Sequence, residues 1–371
     1  MADRADKPGF NVQFCILSAL GMFFVVDGHL NNSYLDIGGL VPYYAFHMPL
    51  FVFISGYFYK KKAEEDIAGY IRKKAVHLLI PYLIYNLIYG LIAQGFHMAG
   101  FTFGESLTLK NLFIEPFITG HQFTYNLAAW FVPALFLVEA ANVLFRRLFR
   151  LVKLERELFI TVFYLAAGIT GIYFARKSIP EGAALTVTRL VFLLPCYQFG
   201  TLYREKLEER DTLGSPVYFL LLLAIQFGLA VSRKPLIYSV ALCNSFPGLI
   251  LPYITAVTGI AFWLRVARIL TPAFQNSRAI LYFGKNTYAV MMHHLMAFMV
   301  VKTGFAAVAK YTPLLVGFSF ESYKTDFWYF YFPYGLLQFR ILYLLSGLIL
   351  PLLVQRVIDM VKDRSADRRR V

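Results

Sequence analysis

Apolar runs of about 20 residues recur along this chain, separated by short polar stretches. That is the length a helix needs to cross about 30 Å of hydrocarbon at about 1.5 Å per residue. The pattern predicts ten spans, at approximately 10–30, 38–59, 76–97, 127–145, 158–175, 187–203, 215–232, 248–264, 279–301 and 336–358. The stretch 302–335 is rich in Pro, Phe and Tyr and is expected to hold an interfacial helix or a re-entrant segment. No small-residue cleavage site follows the first run, so it reads as a retained helix and not a signal peptide. Neither half repeats the other's Gly/Pro-interrupted segments, which weakens a transporter reading.

Composition narrows the class. Of the 371 residues, 58% are hydrophobic and 16% charged, where soluble domains average about 25% charged. A soluble enzyme and a disordered chain are both excluded. The net charge of +14 would suggest nucleic acid in a soluble protein. Here the basic residues sit between apolar runs, as membrane loops display them, so no nucleic-acid partner is expected. Most of the 36 basic residues fall in alternate loops, counting from an N-terminus that carries Arg4 and Lys7. That asymmetry predicts both termini in the cytoplasm. The expected fold is therefore all-α, a polytopic helical bundle of about ten spans in the cell membrane. It forms one domain over 1–371, with a short basic tail at about 359–371. Cys15, Cys196 and Cys243 form no CxxC pair and no metal-ligand spacing, so neither a disulfide nor a metal is assigned.

Ionisable residues within the spans are the functional pointers, because each costs several kcal/mol unless paired or hydrated. They are Asp27 and His29 near the end of the first run, His47, Glu139, Arg189, Lys285, His293, His294 and Arg340. A neutral imidazole suits general-base work near pH 7, which singles out His29. Asp27 stands about 200° around a regular helix from it and can orient it only if the turn at Gly28 is broken. Pro49 lacks an N–H and should leave the carbonyl of Ala45 without a helical partner, so a kink with locally exposed backbone is expected. His47 and Ser55 are about 80° apart on a helix and need not share a face. Glu139 is expected to be paired with a cation or histidine, or protonated, in a supporting role. His121, Gln122, Tyr125 and Asn126 offer contacts to a sugar or structural loop contacts.

The order of motifs is recognisable. Val25-Val26-Asp27-Gly28-His29 closes the first run, and Phe46-His47-Met48-Pro49-Leu50-Phe51 with Ser55-Gly56-Tyr57 follows. Then come Leu78-Leu79-Ile80-Pro81-Tyr82 after a basic loop, Trp130-Phe131-Val132-Pro133-Ala134-Leu135 with Glu139, and Gly284-Lys285-Asn286-Thr287 followed by His294. This series resembles the integral-membrane acyltransferase-3 family and covers about residues 10 to 300. The resemblance implies an enzyme that passes an acyl group, usually acetyl from acetyl-CoA, to a hydroxyl of a glycan or other envelope molecule. It makes His29 the family's first-helix histidine and His294 its recurrent ninth-helix histidine. The chain departs from the family where Ser18 replaces a cation eleven residues before His29, and where Lys74-x-x-His77 stands for Arg-x-x-Arg.

Acyl transfer requires a base, donors for the oxyanion and a place for CoA's phosphates. His29 is the expected base, with His47, Ser55, Glu139, Asn286 and His294 along the acyl path or supporting it. Arg189 and Arg340 are the expected charge stabilisers. Arg72, Lys73, Lys74 and His77 fit CoA phosphates, although the same cluster also serves as the positive-inside signal. The expected partners are the bilayer, acyl-CoA and a glycan or lipid-linked acceptor. The other class of function is a proton-coupled transporter or flippase of such a glycan.

Overall fold

The computed structural model describes residues 11–31, 34, 35, 37–232 and 236–368. Arg4, Lys7 and the last basic residues of the tail, Arg369 and Arg370, lie outside the described residues. Among the described residues every regular element is a helix, and one isolated bridge, Ser239 to Asn244, pinches a loop.

Among the described residues eight helices are long and apolar enough to cross a membrane: α3 (Ile67–Met98), α4 (Leu127–Leu151), α5 (Glu157–Lys177), α6 (Gly182–Leu207), α7 (Ser215–Ser232), α8 (Leu251–Phe274), α10 (Thr287–Tyr311) and α11 (Leu337–Asp363). Two of the ten predicted spans are shorter. α1 (Val12–Gly28) has 17 residues and α2 (His47–Tyr57) has 11, or about 25 and 16 Å of helix. The predicted span 38–59 is not one helix: the chain enters α2 through a single 3-10 turn, Tyr43–Ala45. Pro49 therefore falls in the first turn of α2, where a missing N–H costs nothing, so it starts the helix and does not kink a longer one. The carbonyl of Ala45 is satisfied from outside, by the hydroxyl of Tyr238 at 2.6 Å. The predicted span 279–301 is likewise divided. A short amphipathic helix, α9 (Arg278–Lys285), stops at Asn286, and α10 then runs ten residues past 301 to Tyr311.

Short helices are tolerated because they sit inside. α1 is buried on nearly every side by α2, α8, α9, α10 and α11, as a helix apolar all round must be. α2 lies backbone to backbone against α6. A Cβ on Gly56 would meet the Tyr197 carbonyl at 1.9 Å, and one on Gly200 the Phe53 carbonyl at 2.0 Å, so small residues set the approach as they do in membrane bundles. α3, α5, α7 and α11 instead turn exposed apolar side chains such as Ile84, Leu158, Leu220 and Leu353 outward, which is the surface lipid would cover.

A buried polar cluster pins α4, α5 and α6 together at one end. Arg146 donates to both carboxylate oxygens of Glu157, at 3.1 and 2.8 Å, and to Gln198 Oε1 at 2.7 Å, while Lys61 pairs with Glu157 at 2.8 Å. The two-point Arg–carboxylate geometry fixes orientation as well as distance. Sequence reading passed over Arg146 because it stands in a basic run at the end of a span.

Candidate active site

α1 continues in helical conformation to its last residue, and His29 caps it at φ −67°, ψ −11°. His29 Nδ1 lies 2.8 Å from the carbonyl of Val25 and 3.2 Å from His294 Nε2. A carbonyl only accepts, so Nδ1 carries the proton. His294 Nδ1 lies 2.8 Å from the carbonyl of Val290, which makes its Nε2 the lone pair that receives His29. Nε2 of His29 is thus left unprotonated, in the form a general base requires. Once His29 takes a proton, Val25 O and His294 Nε2 both face the resulting charge. That is the arrangement of a base held by a third group.

Asp27 is buried and its Oδ2 accepts the N–H of Tyr34 at 3.1 Å. Because the helix is unbroken through Gly28, Asp27 and His29 leave it on different faces, as the spacing predicts. His47 repeats the His29 pattern, with Nδ1 at 2.6 Å from the carbonyl of Tyr43. Tyr44 packs edge-on against the His47 ring and donates to the Gly28 carbonyl at 3.0 Å, bridging α2 to the end of α1.

A cavity of about 190 Å³ opens from these groups. His29, His47 and Tyr44 line one end, and Leu78, Thr287 and Tyr288 line another part of its wall. Most of the lining is apolar, from Met22, Val25, Met48, Phe51, Phe131 and Leu135 among others. Phe51, Leu135 and Leu78 each have a polar residue one turn further along the same helix: Ser55, Glu139 and Lys74. These three meet. The carboxylate of Glu139, 1% exposed, takes the Lys74 ammonium at 2.6 Å and the Ser55 hydroxyl through the same oxygen. Glu139 therefore has the cation partner expected of it, and Ser55 pairs with Glu139 and not with His47.

Residues 16–356 match the model of a family described as an acyltransferase domain, the acyltransferase-3 family. The chain belongs to that family. It is a membrane acyltransferase by family and by its apolar helices. No curated protein and no solved structure matches it.

The other residues that the sequence singles out are held by contacts of their own. Arg189 is buried, and its guanidinium donates to the carbonyls of Ile118 at 3.0 Å, Thr119 at 3.1 Å and Ala241 at 2.8 Å. It stacks at 4.6 Å over Trp130. Its donors are occupied by loop carbonyls, and it touches the cavity only through Trp130 and Ala241, which line it. Arg340 begins the regular part of α11 and lies 5.3 Å from the Phe332 ring, apart from the cavity lining. Asn286 makes the break between α9 and α10, its side chain donating to the Tyr282 carbonyl at 2.8 Å.

The basic cluster divides as well. Arg72, Lys73 and His77 are exposed, with His77 Nδ1 at 2.7 Å from the Lys73 carbonyl, whereas Lys74 turns inward to Glu139. A π-helical turn, Ala75–Leu79, separates Lys74 from the rest of α3. The turn directly follows the residue that pairs with Glu139 on α4, and such bulges are often found at functional positions.

Of the loop residues predicted to meet a sugar or hold the loop, two hold it and a third is buried. Gln122 donates to Asn86 Oδ1 at 3.0 Å, Tyr125 stacks on Phe96 at 4.9 Å, and Asn126 is buried. His121 is edge-on to Trp130 at 6.5 Å. Its pKa is pushed down to about 4, by burial first and then by Arg189 and His29.

Sequence reading missed two further residues, one beside His29 and one in α10. Trp328 lies parallel to its ring, with centroids 6.1 Å apart and an interplanar angle of 4°. Lys302 is buried within α10. Both fall in the stretch 302–335, where the sequence predicts an interfacial helix or a re-entrant segment, whereas α10 continues through Lys302 to Tyr311.

Proposed function

We propose that this protein is an O-acyltransferase of the cell membrane, moving an acyl group, acetyl above all, from cytoplasmic acyl-CoA to a hydroxyl of an extracytoplasmic or lipid-linked glycan. The observation that carries the reading is the His29–His294 pair, whose hydrogen bonds leave His29 Nε2 unprotonated at one end of an apolar cavity. The acceptor hydroxyl gives its proton to Nε2 as its oxygen attacks the thioester carbonyl. The carbon–sulfur bond then breaks, and the CoA sulfur leaves and takes up the proton.

Counting α1 and α2 as crossings beside the eight longer helices makes ten, an even number that places both termini on one side. Positive charge in alternate loops makes that side the cytoplasm. The donor then approaches from the end of the bundle that carries Arg72 and Lys73. Its pantetheine arm runs up the cavity past Leu78 to His29, and direct transfer is favoured over a covalent relay. Ser55, the hydroxyl nearest that route with a carboxylate partner, is about 12 Å of helix below His47.

The test is purified protein given labelled acetyl-CoA with and without acceptor. Acceptor-dependent release of CoA, abolished in His29→Ala at unchanged detergent stability, supports the reading. Movement of acceptor across vesicles with no thioester cleavage would replace it with the transporter.

A further inference from the structure

We propose that Trp328 is an acceptor-binding residue, the platform on which a pyranose ring of the acceptor stacks beside His29, and that Lys302 is the positioning residue that holds it there. The proposal rests on the acyl-transfer reading of His29 and extends it to how the acceptor is recognised.

The first observation is what Lys302 does. Its ammonium is 2% exposed in the middle of α10, and a buried ammonium is retained only where something compensates it. It donates to the backbone carbonyl of Phe327 and lies 4.9 and 4.6 Å from the Phe327 and Phe330 rings. Those contacts compensate it through cation–π attraction and a charge-assisted hydrogen bond. All of them fall on one segment, 327–330, whose second residue is Trp328.

The second observation is how tightly that segment is fixed. Asp326 Oδ1 accepts the N–H of Trp328 at 2.8 Å. Phe327 packs edge-on against Phe103 at 5.4 Å and Tyr125 at 5.9 Å. Thr303, one residue along α10, reaches the hydroxyl of Tyr323 at 2.8 Å. The backbone on both sides of Trp328 is thus anchored, while its indole is left 43% exposed. A tryptophan serving only as a membrane-interface anchor needs neither a fixed backbone nor a partner ring.

The third observation is orientation. The indole is parallel to the His29 imidazole, within the range of offset stacking. With Trp328 43% exposed, flat apolar indole surface is left uncovered beside the base. A pyranose presents C–H groups on its faces and hydroxyls around its rim. Stacked on the indole, it buries apolar area while a rim hydroxyl reaches toward Nε2. An acyclic polyol has no such face and gains nothing from the ring. Discrimination between the two is what the platform supplies.

The experiment uses the full-length protein in nanodiscs, with maltose as the pyranose probe and glycerol as the acyclic one. Intrinsic fluorescence is titrated in wild type, Trp328→Ala and Lys302→Met, and acetyl transfer from acetyl-CoA is followed by mass spectrometry. Maltose is expected to shift the wild-type emission, with no shift in Trp328→Ala and with glycerol without effect. The maltose KM should rise about 10-fold in Trp328→Ala and about 3-fold in Lys302→Met, with kcat and glycerol transfer changed less than 2-fold. Trp328→Phe, which keeps a flat ring, should recover most of the KM. A maltose response equal in wild type and Trp328→Ala would overturn the proposal, as would equal loss of transfer to both probes. Absence of any His29-dependent cleavage of acetyl-CoA would instead remove the acyl-transfer reading, and the fluorescence titration would still decide the platform.

Discussion

At the His29 end of the cavity the ionisable side chains are imidazoles whose Nδ1 protons go to carbonyls one turn back. At the Lys74 end an ammonium and a carboxylate face each other across 2.6 Å. Both arrangements satisfy buried polar groups, but they leave different capacities behind. The imidazole pattern spends one nitrogen on the helix and keeps the other available for proton transfer. The ion pair spends its charges on each other, so the Glu139 oxygen that Lys74 meets is occupied and Lys74 is withdrawn from the exposed Arg72 and Lys73. One end is suited to chemistry and the other to tying α2, α3 and α4 together beside the cavity.

The sharpest way to break that contrast is at His29. His29→Ala is expected to lower acyl transfer by about 10²–10⁴-fold, the usual worth of a positioned base, with thermal stability in detergent near wild type. Retained turnover would move the base elsewhere. The next effect is at the other end and is read in stability. Lys74→Met strands a carboxylate that is 1% exposed and should cost about 3–5 kcal/mol, the range for an uncompensated buried charge. Glu139→Gln should cost only about 1–2 kcal/mol, because Lys74 is 31% exposed and can turn to water. Denaturation of the two variants side by side checks the order. If Glu139→Gln kept its stability and lost turnover, the Lys74 end would belong to the chemistry after all.

A smaller effect is expected at His294, which orients His29 without reaching the acceptor. His294→Gln, which keeps an acceptor oxygen, should lower kcat about 10-fold and leave the KM for acetyl-CoA within 2-fold, measured by steady-state CoA release. An effect as large as that of His29→Ala would make the pair a single catalytic unit. The smallest is at His121. Its folded pKa of about 4 lies below the unfolded value of about 6.5. The unfolded chain therefore binds the extra proton as pH falls below about 6.5, and this contribution to stability is lost progressively down to about pH 4. Tm should fall less between pH 7 and pH 5 in His121→Gln than in the wild type.

Much of this was legible along the chain. Apolar length alone gave the membrane bundle, since no other structure satisfies backbone groups in hydrocarbon. The cost of buried charge marked His29, His47, Glu139 and His294 before any contact was visible. Pro49 announced an orphan carbonyl at Ala45. Helical spacing separated Asp27 from His29 and His47 from Ser55. Periodicity failed where tertiary burial replaces lipid: α2 needs only 11 residues because α6 grips its backbone at Gly56. It failed again at Val301, where Lys302 looked like the end of a span.

The sequence by itself determined the class, the helices that must be long and the side chains too costly to be idle, because those follow from composition and from each residue's transfer energy. Only the tertiary structure decided the partners: His294 for His29, Lys74 for Glu139, Phe327 for Lys302, and through it Trp328 beside the base. A lone pair or an ammonium has no preferred partner along the chain. Which one it meets depends on helix rotation, on the π turn of α3 and on a loop returning over the end of the bundle, and these are set by packing among residues as distant in sequence as His29 and His294, 265 positions apart.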